Sequence, residues 1–129
     1  MRSKSFPVVL ALLLFGIAFV NYLAGVNYWY WTMRWFDMPM HFVGGVWVAG
    51  AVLWFQFFRK EGVPPSVAKL FLWAIVGVFV VGLGWEVYEG VVAFLTKGHL
   101  NAWADTASDL VFDVLGATVV ALWASLRRT

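Results

Sequence analysis

Apolar residues along this chain gather into four long runs, at about residues 6–26, 39–58, 69–95 and 105–126, with short polar stretches between them. Each run supplies the ~20 residues that a helix needs to cross a ~30 Å hydrocarbon layer. Arg59, Lys60, Glu61 and the Pro64–Pro65 pair break the second run, and Lys97, Gly98, His99 and Asn101 mark a polar loop after the third. Asn27 to Phe36 is dense in aromatic rings, as expected of a loop where headgroups meet hydrocarbon, or of an aromatic shelf for a substrate. Pro39 is tolerable in a first helical turn because its missing N–H would have no intrahelical partner there. The pattern predicts an all-α integral membrane protein, a four-helix bundle forming one transmembrane domain over residues 1–129. A cleaved signal peptide would share the basic start and apolar run of the first segment. A poor small-residue cleavage site, and continuation of the run past Val20, favour a retained helix.

Charge sets the expected orientation. With four crossings, Arg2, Lys4, Arg59, Lys60, Lys69, Arg127 and Arg128 fall on one side, and only Arg34 and Lys97 on the other. Positive residues favour the cytoplasmic side, so both termini are expected in the cytoplasm and the protein in the plasma (inner) membrane.

The polar residues inside the runs break the pattern. The chain has seven acidic residues, and all but Glu61 sit in three clusters within or at the start of apolar segments. Asp105, Asp109 and Asp113 recur at i, i+4 and i+8 and share one helical face. Glu86 and Glu89 lie one turn apart, as do Asp37 and His41. At 1.5 Å per residue, Glu89 and Glu86 stand about 9 and 14 Å from the outer end of their helix, and Asp109 and Asp113 about 6 and 12 Å from theirs. His41 is about one turn in, so the three clusters share one layer in the outer half of the membrane. Small residues accompany them: Gly44 and Gly45, Gly82, Gly90 and Ala93, Gly116, Ala117 and Ala124. Membrane helices approach closely along such residues, so the polar faces are expected to be the packed faces.

Four carboxylates at membrane depth, Glu86, Glu89, Asp109 and Asp113, would cost on the order of 10 kcal/mol as bare anions. The cluster must therefore keep protons or hold a cation. His41 offers a nitrogen ligand and Asp37, Glu86, Glu89, Asp105, Asp109 and Asp113 offer oxygens, a set suited to Mg²⁺, Mn²⁺, Zn²⁺ or iron, with two ions arithmetically allowed. Arg34 and Lys97 are alternative sources of neutralising charge. Asp37 and Asp105, near helix starts, could equally be N-caps. His99 reads as a loop residue before a ligand, and Trp85 and Tyr88 as interfacial anchors or site neighbours.

Composition agrees: 63% of residues are hydrophobic and 12% charged, against about 25% charged in soluble domains. A net charge of +2 without a basic block argues against nucleic acid, and the lack of cysteine removes disulfides and thiolate chemistry. No G-x-S-x-G, H-E-x-x-H, Walker or Rossmann pattern occurs.

The motifs D-x3-H-F-x-G-G, G-x-x-W-E-x-x-E and D-T-x-x-D-L-x-x-D-x-x-G-A, spanning Asp37 to Ala117, resemble those of the YjdF-like small bacterial inner-membrane proteins and, more distantly, VanZ-like proteins. The resemblance implies that Asp37, His41, Glu86, Glu89, Asp105, Asp109 and Asp113 form a polar intramembrane site. The functional expectation is a metal-dependent hydrolase or transferase acting on a membrane lipid or lipid-linked substrate, with a divalent metal as cofactor and Glu86, Glu89 and Asp109 as catalytic residues. The alternatives are a proton- or cation-coupled transporter, weakened by the lack of acids and bases in the inner halves of the helices, and a non-catalytic membrane accessory protein.

Overall fold

The computed structural model describes residues 5–59, 62–96, 98 and 103–127. Its order is α1 (Phe6–Val26), a single helical turn α2 (Trp29–Thr32), α3 (Asp37–Leu53) running on into a π-helical turn (Trp54–Phe58), α4 (Val67–Thr96) and α5 (Trp103–Leu126). There is no strand among the described residues. Four helices, with the π turn counted as the end of α3, are long and apolar enough to cross a membrane.

Several boundaries differ from the sequence reading, each for a local reason. The aromatic stretch after α1 is not loop throughout, because Tyr28, at φ 59°, turns the chain sharply and starts α2. α3 begins at Asp37, not Pro39, and its N-cap position is Phe36, which offers no side-chain cap. Asp37 is thus the first helical residue and Asp105 the third of α5, so neither is an N-cap; both carboxylates lie in first turns, where exposed N–H groups favour negative charge. The loop residues Lys97, His99 and Asn101, and the charged residues Arg2, Lys4, Lys60, Glu61 and Arg128, lie outside the described residues.

α3, α4 and α5 pack together, with α3 and α5 parallel and α4 antiparallel to both. Register follows from the contacts: Gly45 faces Asp113 and Gly116 faces Phe42 across α3 and α5, while Gly82 faces Asp113 and Glu86 reaches Thr106 across α4 and α5. Glycine is needed where α3 and α5 meet, since a Cβ on Gly116 would lie 2.8 Å from the Val46 nitrogen and one on Gly45 would meet the Asp113 carbonyl. Without a hydrophobic force between helices in lipid, such close approach supplies the dispersion that holds them. Of the small residues expected at the contact, Gly44 and Gly90 have open space around them and do not take part.

Away from the acidic end, the helices close on an apolar core of Ala49, Leu53, Phe58, Leu70, Ala74, Val78, Ala117, Ala121 and Ala124. α1 lies outside this trio, mainly against α3, and buries only Ala24. Side-chain contacts tether it. The Trp47 indole N–H donates to the Leu10 carbonyl at 2.9 Å, the Tyr30 hydroxyl donates to Asn21 Oδ1 at 2.6 Å, and the Phe6 ring stacks on Trp123.

Candidate metal centre

The first turns of α3 carry Asp37 and His41 on one face, and the parallel packing of α5 brings Asp109 and Asp113 against them. His41 stands at the centre. Its Nε2 lies 3.6 Å from Asp37 Oδ1 and 3.7 Å from Asp109 Oδ2, and its Nδ1 lies 3.4 Å from Asp113 Oδ1. One ligand atom each from Asp37, His41 and Asp109 fall within 4.8 Å of one another, close enough to share a single ion.

Burial grades across this group. Asp109 is 3% exposed, whereas the Asp37 side chain is 43% exposed, so the triangle has an inner wall and an outer lip. Asp109 Oδ2, the oxygen facing His41 Nε2, is buried and accepts no hydrogen bond from the described residues. A buried carboxylate oxygen without a donor costs a few kcal/mol. Even a protonated His41 would balance only one of three carboxylates. Arg34 is exposed and forms no ion pair among the described residues, so it does not supply the missing charge.

The glutamates form a neighbouring lobe on α4. Glu86 Oε2 accepts the Thr106 hydroxyl at 2.7 Å, while Oε1 is buried without a hydrogen-bond partner among the described residues. Glu89 Oε1 accepts the Trp85 indole N–H at 2.9 Å. Both are within electrostatic reach of Asp109, but neither joins the triangle. Asp105 is exposed and stays outside it as well. Thr106, which sequence reasoning passed over, holds Glu86; its place between Asp105 and Asp109 puts it on the edge of the acidic face, a signal visible only once the register of α4 against α5 is known. Trp85 is a hydrogen-bond donor to the site and not simply an interfacial anchor.

Aromatic residues close the nearby end of the bundle. Phe36, buried just before Asp37, receives the rings of Trp29, Tyr30 and Trp35. Burial and the charges of Asp37 and Glu89 push the Tyr30 phenol up to about 12, so it stays a neutral donor beside the acids. Two shallow apolar grooves, of about 350 and 270 Å³, lie elsewhere on the surface, one lined by Ala51, Val52 and Phe55 and the other by Phe79, Leu110 and Val114.

Neither the curated proteins nor the solved structures contain a match to the chain. A family model described as "Predicted membrane protein (DUF2238)" matches residues 1–129, and a chain of four membrane-length helices matched over its whole length belongs to that family of membrane proteins.

Proposed function

We propose that this multi-pass membrane protein binds one divalent cation between Asp37, His41 and Asp109 and uses it on a lipid or lipid-linked substrate. The observation that carries this reading is the buried, undonated Oδ2 of Asp109, aimed at the same point as His41 Nε2 and Asp37 Oδ1. One imidazole and two carboxylates suit Zn²⁺, Mn²⁺ or Fe²⁺ better than an all-oxygen ion such as Ca²⁺. Three protein ligands leave coordination positions for water and a substrate oxygen, the arrangement in which a metal activates water and polarises a phosphoryl or acyl group. Glu86, with one oxygen held by Thr106 and the other free of hydrogen bonds, is the proposed general base.

On the positive-inside count the termini are cytoplasmic, in a plasma membrane, and the site faces the outer leaflet. The likeness of the motifs to YjdF-like and VanZ-like proteins is compatible with this placement and supplies no reaction. A transporter using the same residues as a relay is less well supported, because Leu53, Leu70, Ala74 and Val78 pack beneath the cluster where a polar path would run.

Elemental analysis of the purified protein, stripped by chelator and reloaded, tests the reading. One metal per chain, lost in Asp109→Asn, is expected; absence of stoichiometric metal after reloading with Zn²⁺, Mn²⁺ and Fe²⁺ would reject it. Reconstituted protein should then turn over a phospholipid or lipid-linked phosphate in a chelator-sensitive manner.

A further inference from the structure

The three carboxylates around His41 do not divide evenly. Asp37 and Asp109 share the Nε2 side of the ring, and among the described residues Asp113 alone pairs with Nδ1. We infer that Asp113 is a positioning carboxylate and not a ligand: it takes the Nδ1 proton of His41 in a hydrogen bond and so turns the Nε2 lone pair toward Asp37 and Asp109. This rests on the cation reading above. The chemistry is general, since a metal-bound imidazole commonly gives its other N–H to a carboxylate, which fixes the tautomer and raises the basicity of the ligating nitrogen.

Asp113 is buried and closely packed. Its backbone carbonyl is pressed against Gly45 of α3, and its Oδ2 against Gly82 of α4, where an added Cβ would lie 2.7 Å from that oxygen. Glycines on two helices thus make the room that Asp113 occupies between α3 and α4, and its Oδ1 lies 3.4 Å from Nδ1. By contrast Asp37, which is half exposed, has the freedom a ligand needs to close on an ion.

The test uses the full-length protein in detergent, labelled with ¹⁵N-histidine and loaded with ¹¹³Cd²⁺. The chain has two histidines, so His99→Ala identifies the His41 signals. Cadmium coupling to Nε2, with the proton on Nδ1, is expected, and coupling to Nδ1 would overturn the inference. Asp113→Asn should weaken cadmium binding about 10- to 100-fold while keeping one ion per chain and Nε2 coordination. Asp109→Asn should remove stoichiometric binding. If Asp113→Asn removes it as well in a folded protein, Asp113 is a ligand and the inference fails. Gly82→Ala, which crowds the Asp113 carboxylate without altering a ligand, should lower affinity in the same direction, and unchanged affinity would count against the inference. Should the wild type bind no cadmium, the cation reading falls separately. Asp113 is then judged from metal-free protein at a pH where His41 is neutral: Nδ1–H supports the inference, and Nε2–H overturns it.

Discussion

Asp109 is the residue on which alternatives separate. Asp109→Asn preserves shape while removing a charge and a strong ligand oxygen. With a cation present, this lowers metal content and thermal stability together, because the remaining carboxylates lose the ion that offsets their repulsion. In a cluster that keeps its own protons, the same change removes a charge never fully present, and stability in detergent stays equal or rises. The sign of the melting shift decides. Glu86→Gln retains an acceptor for Thr106 and lies outside the triangle, so metal content should hold while any turnover that needs a base is lost. Tyr30 carries the pH prediction. Its phenol is raised in the folded chain by burial, Asp37 and Glu89, so the native state holds that proton more tightly than the unfolded state. The stabilisation is complete below pH ~10, the free tyrosine value, and is lost as pH climbs toward 12. Alkaline denaturation followed by circular dichroism should therefore be less steep in Tyr30→Phe.

Among elements, the α3–α5 contact sets the distance between His41 and the aspartates. Gly45→Ala and Gly116→Ala each force a methyl into opposing backbone and should destabilise the bundle by about 1–3 kcal/mol or more, with loss of metal binding. Gly84→Ala meets nothing within 4 Å and should be neutral or stabilising by up to about 1 kcal/mol. Equal melting temperatures for Gly45→Ala and Gly84→Ala would contradict the packing described. The i, i+4 spacing of the acids and their glycines revealed which faces turn inward, since helical periodicity is written in the chain. It could not reveal rotation and register between helices. For that reason Asp105, on the same stripe as Asp109 and Asp113, reads like them in sequence yet ends up exposed, and Gly44 reads like Gly45 yet has open space where a side chain would stand.

For the molecule as a whole, a reporter joined after Thr129 should be active on the cytoplasmic side if the charge count governs insertion. A periplasmic signal would invert the site's placement. The four membrane-length helices were legible because length and hydropathy suffice to predict them; the marginal packing of α1 was not, because its surface, apolar but for Asn21 and Tyr22, carries no stripe that distinguishes helix from lipid. The Trp47 indole is one of the few polar contacts that tether α1, and Trp47→Phe should loosen it, seen as faster proteolysis or labelling near Leu10. The apolar floor of Leu53, Leu70, Ala74 and Val78 has one more consequence. A charged solute at Asp109 has only one shore to leave for. In sealed vesicles, a membrane-impermeant chelator should strip the ion from vesicles of one sidedness and leave those of the opposite sidedness loaded, and the rate should not respond to an imposed membrane potential, because no charge crosses the bilayer.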